Sequence, residues 1–402
     1  MTNLPQGWKM ETLGEILSSD KYSIKRGPFG SALKKSFFVE KGIRIFEQYN
    51  PINNDPHWKR YFISHEKFQE LEAFKATEGD LLISCSGTLG KIVELPKDTE
   101  MGIINQALLK IRLNNIKILN SYFIYYFNSP IMQEKILEST LGSAIKNIAS
   151  VKILKQIEIP LPPLKEQERI VGILDESFAK IDESIKILEQ DLLNLDELMQ
   201  SALQKAFNPL KDNAKENYKL PQSWEWKSLE EISENISAGG DKPKNCTESK
   251  TAKNQIPVYA NGVNNNGLVG YTDKATIIKP SLTISARGTI GFVCIRKEPY
   301  FPIVRLISLI PCENILCLHY LYFCLNFFIA KGEGSSIPQL TIPKFKSLQI
   351  PLPPLKEQEQ IAEHLDFVFE KAKALKELYT KELKDYEELK QSLPNKAFKG
   401  EL

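Results

Sequence analysis

Two stretches of the chain place apolar residues at alternating steps of four and three. In the first, Leu174, Phe178, Ile181, Ile185, Leu188, Leu192, Leu195 and Met199 form an unbroken heptad seam. The second runs through Ile361, Leu365, Val368, Ala372, Leu375, Tyr379, Tyr386, Leu389 and Leu393, with Glu382 as its one polar interruption. Each predicts a helix of about 40 residues, roughly 60 Å at 1.5 Å per residue. A seam of that length needs a partner to cover it, and the sister helix is the nearest candidate. Chain length permits either orientation, and an antiparallel pair would put the preceding segments at opposite ends. A helix folded back on its own segment is the other reading.

The rest of the pattern is different. Short β-branched or aromatic runs at 42–46, 80–84, 91–95 and 108–113, and again at 256–260, 281–285, 292–295 and 304–310, are separated by Gly, Asn and Pro. Helical text follows each set, around 118–138 and 314–331. The pattern predicts an α+β module with a mixed or antiparallel sheet, present twice.

The duplication is literal in places. Residues 159–168 read Ile-Pro-Leu-Pro-Pro-Leu-Lys-Glu-Gln-Glu, and 350–359 repeat all ten letters 191 positions later. Pro160, Pro162 and Pro163 bar helix before Leu164, and the helical pattern then runs without another proline to Pro209. Leu-Pro-Gln-Gly-Trp at 4–8, with Leu13 and Ile16, recurs as Leu-Pro-Gln-Ser-Trp at 220–224, with Leu229 and Ile232. The loop Ser-Cys-Ser-Gly-Thr-Leu-Gly at 84–90 recurs as Ser-Ala-Arg-Gly-Thr-Ile-Gly at 285–291. Tyr122 to Asn128 matches Tyr320 to Asn326, and Gly-Ser-Ala-Ile at 142–145 matches Gly-Ser-Ser-Ile at 334–337. The offsets change along the chain, so the insertions lie in the loops. This gives four segments: modules at 1–158 and 209–349, and proline box plus helix at 159–208 and 350–402.

Net charge is +2 over 402 residues, which says little until it is divided along the repeat. Lys plus Arg against Asp plus Glu is 21 to 17 in the first module and 17 to 12 in the second. In the helical segments it is 5 to 10 and 9 to 11. Basic modules on acidic helices suit contact with a polyanion. The six cysteines form no C-x-x-C pair and read as buried free thiols, and the four histidines lie at no metal or triad spacing. There is no Asn-Pro-Pro-Tyr/Phe motif, no Gly-rich cofactor loop and no Pro-Asp dipeptide, and the phosphate-loop likeness at 85–92 lacks its leading Gly and its Ser/Thr after Lys. The expectation is a binding protein without cofactor, metal or catalytic residues of its own. The longest apolar run, 315–330, is too short for a membrane span, so a cytoplasmic chain is expected.

Candidate contacts cluster in module loops. Lys25, Arg26, Lys34 and Lys35 surround a Gly-Pro-Phe-Gly turn, and Lys59 and Arg60 are interleaved with aromatics. Lys242 and Lys244 follow Gly239-Gly240. Asn261, Asn264, Asn265 and Asn266 offer amides for adenine edges. In the repeated Gly loop, Ser86 and Thr88 stand where the second copy has Arg287 and Thr289, and Arg287 is the leading candidate for reading guanine.

With its paired proline boxes, Leu-Pro-x-x-Trp entrances, Gly-Pro-Phe-Gly-Ser turn and Ser-x-x-Gly-Thr-x-Gly loops, the chain resembles, over its whole length, the specificity subunit of type I restriction-modification systems. The resemblance implies two target recognition domains, each reading half of a bipartite double-stranded DNA site, joined by an antiparallel helix pair that sets the gap. It implies no catalytic activity in this chain. Two methyltransferase subunits carrying S-adenosylmethionine would dock on it, and restriction subunits using ATP and Mg would join the full complex. Heads about one DNA turn apart, ~34 Å, would meet successive major-groove faces. Loops 25–35 and 239–266 share little, which points to an asymmetric target. A tandem scaffold gripping two protein partners is the alternative.

Overall fold

A computed structural model of the chain describes residues 4–138, 148–211, 223–329 and 340–402. The repeats expected at 142–145, 220–222 and 334–337 lie outside them. The chain divides into two compact units, Met1–Leu188 with Lys381–Leu402, and Glu189–Thr380. The divisions fall inside the two long helices, not at the proline boxes, because each module packs against a stretch of both helices.

In the first unit a four-stranded antiparallel sheet has the order Ile24–Arg26, Leu108–Ile111, Leu81–Ser84, Ile92–Glu94. All four residues of Leu81–Ser84 are buried because the strand is covered on both faces. Leu81 and Ile83 meet the helix Asn120–Asn128 through Tyr122, Phe123, Tyr126 and Phe127, while Leu82 faces a second core with Phe46 and Val93. That core lies against a mixed five-stranded sheet in which Ile43–Phe46 runs parallel to Gly102–Ile104. The second unit repeats the plan. Ser233–Ala238, Ile307–Pro311, Ser281–Ile284 and Val293–Arg296 give the same strand order, and Ile256–Tyr259 runs parallel to Phe301–Pro302 in a three-stranded sheet. The α+β reading with mixed and antiparallel sheets matches these elements.

The proline box is itself a strand. Glu158–Leu161 pairs antiparallel with the entrance strand Lys9–Thr12, and Gln349–Leu352 pairs with Glu225–Ser228. Prolines are tolerated because each ribbon has only two strands. A helix then begins at Leu164 and runs to Lys211, and its counterpart spans Leu355–Ala397. One buried glutamine fixes each start. Gln167 accepts from Leu119 N at 2.8 Å and donates to Pro162 O at 2.8 Å and Lys117 O at 3.0 Å. Gln358 accepts from Cys317 N at 2.9 Å and donates to Pro353 O at 2.8 Å and Ile315 O at 2.9 Å. Tyr122 and Tyr320 donate to the box carbonyls of Pro160 and Pro351 at 2.7 and 2.8 Å.

Each module core is closed by the far end of a long helix. In the first unit Phe398 packs edge-on against Tyr122 and Tyr126, at 5.4 and 5.0 Å between ring centroids. In the second, Phe207 packs against Tyr320 at 5.8 Å and Phe327 at 5.4 Å. Within the first unit the helices run antiparallel, since Arg169 reaches Leu402 O and Asp182 pairs with Lys390. Within the second they do so too, with Asp196 paired to Lys376 and Ala202 and Lys205 beside Ile361 and Leu365.

The first seam is buried or half-buried at all eight expected positions. The second takes a different course. After Ala372 the covered positions are Lys376, Tyr379, Leu383, Tyr386, Lys390 and Leu393, while Leu375, Glu382 and Leu389 face out. Apolar letters alone point to the leucines, but the lysine stems fill the seam and their ammonium groups reach Asp196 and Asp182.

Replacing Gln358 by Leu strands the Cys317 N–H and two buried carbonyls. At about 1–3 kcal/mol for a buried group left unpaired, the expected loss is roughly 3 kcal/mol or more. Thermal unfolding checks this, and a melting point within a degree of the parent chain would contradict the role assigned to the amide.

Candidate nucleic-acid interface

The repeated Gly loop is built the same way twice. Gly90 N donates to Ser84 O and Gly291 N to Ser285 O, each at 3.0 Å. The turn needs a left-handed residue at Gly87 (φ +67°) and Gly288 (φ +69°), where a side chain would be strained although space is open. Ser84 Oγ also donates to Thr88 O at 2.6 Å and accepts from Lys91 N at 3.0 Å, so the first loop is stiff at its base. The tips project outward, with Thr88, Arg287 and Thr289 exposed and Ser86 half-buried.

Around the first loop the structure gathers some of the expected residues and separates others. Arg26 lies beneath it, its guanidinium near Cys85 O at 3.5 Å and Ile148 O at 3.4 Å and over the ring of the exposed Phe29. Ser86 Oγ lies 3.4 Å from Gln48 Oε1, which brings in the segment carrying Lys59 and Arg60. That segment is rigid for a reason sequence reading missed. The buried Arg44 donates to Pro56 O at 3.0 Å and Trp58 O at 2.7 Å, and the buried Asn50 donates to Asp55 O and Trp58 O. Tyr49 stacks on Trp58 at 4.3 Å, partly exposed, and Arg60 lies over Tyr61. Burial raises the Glu47 carboxyl above its ordinary range, opposed by the charge of Arg60. Lys59 is held by Glu100 at 3.1 Å. Lys25 packs half-buried against Tyr22 and Phe74. Lys34 and Lys35 stand exposed beside the 3-10 turns Gly30–Ala32 and Lys35–Phe37.

In the second module Lys242 and Lys244 are exposed, as are Asn264, Asn265 and Asn266. Asn265 and Asn266 are left-handed, at φ +47° and +51°. Asn261 departs from its expected use. Its Oδ1 accepts from Ala286 N at 2.7 Å and its Nδ2 donates to Val304 O at 2.6 Å, so the amide braces the Gly loop to a neighbouring turn instead of facing a base. The buried Arg296 serves as Arg44 does in the first module. It stacks on Tyr259 at 3.5 Å, reaches Thr283 Oγ1 at 3.0 Å and donates to Asn266 O at 2.5 Å. Arginine inside strand text was the available signal for both, and charge alone directs attention to the surface instead. Burial raises the Cys85 thiol to about 12, in keeping with a thiol that packs and does not react.

Stiff sheets thus present, in each unit, one Gly loop and one arginine-locked segment studded with cations, amides and aromatic rings. This is the make-up of a tandem nucleic-acid recognition protein. The chain belongs to the family of the type I restriction modification DNA specificity domain, which matches residues 5–192 and 221–384. Members are recognition components and not catalysts. A type I specificity subunit of Mycoplasma pneumoniae is 33% identical over 54% of this chain and 56% of its own length, so the chain spans only about half of that relative. A type I restriction enzyme specificity subunit of Methanocaldococcus jannaschii is 25% identical over 85% of this chain and 82% of its own. In fold, the chain is similar to the HsdS subunit from Thermoanaerobacter tengcongensis, with TM-score 0.70, 20% identity, and 99% and 98% of the two chains covered. A chain from a solved type I R-M system, described for its complex assembly and conformational transition, gives TM-score 0.74 at 20% identity with all of both chains covered. Among the described residues no helix is long and apolar enough to cross a membrane.

Removing the Asn261 brace leaves the Ala286 N–H and Val304 O without their partner. Asn261→Ala is expected to cost about 2 kcal/mol and to speed hydrogen exchange at the Ala286 amide. An unchanged exchange rate would show that the brace does not hold the loop.

Proposed function

We propose that each module reads one half of an asymmetric, bipartite double-stranded DNA site, and that the long helices, paired as one antiparallel coiled coil, set the gap and dock methyltransferase subunits. The observation that carries this reading is one loop frame built twice with different tips, Ser86 and Thr88 in one copy, Arg287 and Thr289 in the other. Same frame and different chemistry suit two unrelated half-sites. Lys25, Arg26, Lys34, Lys35, Lys59, Arg60, Lys242 and Lys244 supply positive charge along the phosphates, with Lys59 the most tied down, and Asn264, Asn265 and Asn266 offer exposed amides.

The helix register supports the strut. Asp182 and Asp196 are 14 residues apart, as are their partners Lys390 and Lys376, so one antiparallel alignment fits both pairs. Off the seam, Ile187, Leu193, Leu198, Phe367 and Leu378 are each more than half exposed. These apolar side chains suit a protein partner, which we take to be two methyltransferase subunits, with restriction subunits joining the full cytoplasmic complex. S-adenosylmethionine, ATP and Mg would be held by those partners. A scaffold that grips only proteins would not need the cationic loops.

Binding to mixed duplex DNA should weaken steeply with salt, log K falling by about 0.9 per phosphate contact for each unit of log salt. A flat dependence would favour the protein scaffold. Inserting four residues near Ala202 should lengthen the strut by about 6 Å and widen the gap in the methylated site of the assembled complex without altering the half-site bases. Changed bases at an unchanged gap would refute the strut.

A further inference from the structure

The turn between Phe301–Pro302 and Ile307–Pro311 holds two consecutive non-glycine residues in the left-handed region, Val304 at φ +53° and Arg305 at φ +60°. A β-branched valine there is a genuine outlier, and strain of this kind persists only where its surroundings enforce it. Three hydrogen bonds do so. Val304 N donates to Gly240 O and Arg305 N to Gly239 O, both at 2.8 Å, and Asn261 Nδ2 donates to Val304 O at 2.6 Å. A Cβ at Gly239 would lie 2.6 Å from Ile303 N, so the glycine is what lets the two segments touch.

The fold does not require this strain. Strand registers place Leu109 opposite Ile83 and Ile307 opposite Ile284, which aligns Gln106 and Ala107 of the first module with Val304 and Arg305. Neither Gln106 nor Ala107 is left-handed. One copy makes the turn with ordinary backbone and the other pins a costly one in place. The side chains this presents are both exposed, and among the described residues the Arg305 guanidinium has no hydrogen bond or ion pair. It stands between the loop bearing Lys242 and Lys244, bonded to it through Gly239 and Gly240, and the Gly loop bearing Arg287, to which Asn261 links it.

We propose that Arg305 reads a base, its guanidinium pairing through two N–H groups with O6 and N7 of one guanine in the half-site met by the second module. The assignment rests on the module being a DNA half-site reader. A pre-set backbone aims the fork, and the flanking lysines hold the duplex by its phosphates.

The test selects bound sequences from a randomised duplex pool with the full chain and its variants. Arg305→Ala should lose the preference for guanine at one position of one half-site, lowering affinity for the parent's preferred duplex about tenfold to a hundredfold, weakening binding to unrelated duplex far less, by the loss of one cation, and leaving the preferences at the other half-site as they are. Arg305→Lys, which keeps charge but not the fork, should keep the binding to unrelated duplex and still lose the guanine preference. Val304→Gly should raise the melting temperature while blurring selection at that same position, a pair of effects a merely structural turn would not give. Equal weakening on all sequences would make Arg305 a phosphate contact and overturn the proposal, as would an unchanged base preference or a lower melting temperature for Val304→Gly. If the parent chain selects no sequence at all, the half-site reading itself fails, a result distinct from parental selection that Arg305→Ala leaves intact.

Discussion

Everything in each unit is oriented by a single buried amide at the start of its long helix. The proline box removes backbone donors just where the chain must turn from strand to helix, leaving carbonyls that nothing local can satisfy. Gln167 and Gln358 answer this by bonding one box carbonyl, one carbonyl of the turn before the module's aromatic helix, and that turn's N–H. Tyr122 and Tyr320 cap a second box carbonyl from the same aromatic helix. The long helix therefore leaves the module in one direction only, because any rotation would strand several buried polar groups at once. That constraint accounts for the box residues it uses, Pro160, Pro162 and Gln167 with their counterparts Pro351, Pro353 and Gln358.

The second constraint is how the cores are closed. Each aromatic helix leaves room for one more ring, and it comes from the end of a long helix, Phe398 in the first unit and Phe207 in the second. Both phenylalanines sit in a Lys-Ala-Phe triplet, at 205–207 and 396–398, with the same offset as the proline box.

Periodicity and repetition made the architecture legible in the sequence. Alternating four and three steps located both long helices, and β-branched runs located eight of the twenty strands among the described residues, Leu81–Ser84 and Ser281–Ile284 among them, but missed others such as Ile24–Arg26, Gly102–Ile104 and Leu268–Thr272. The entrance strand Lys9–Thr12 and its partner in the proline box were not legible, because prolines and charged residues conceal a two-stranded ribbon whose backbone, not side chains, makes the pairing. The drift of the second seam from Leu375 to Lys376 was hidden for the opposite reason, a long aliphatic stem serving as apolar surface under a charged name. In the candidate site, loop cations were visible as cations, yet their standing was not. Arg26 braces, Lys59 is paired, Asn261 is spent inside the protein, and the arginines that stiffen the surface, Arg44 and Arg296, are buried beneath it.

That inversion follows from what reading a DNA sequence demands of a protein. A side chain that discriminates one base must already be held, since the ordering of a floppy loop on contact is subtracted from the energy that separates the right base from the wrong one. Stiffness at a loop has to come from groups that never touch the ligand, and guanidinium is suited to this because one planar head can tie several carbonyls at fixed angles. The frame below the loops is consequently where the two copies agree in kind, arginine under aromatic under backbone, while the tips are free to differ. The pair Val304 and Arg305 follows the same logic in its backbone, with a left-handed turn held by three hydrogen bonds that fix where the Arg305 side chain leaves the chain.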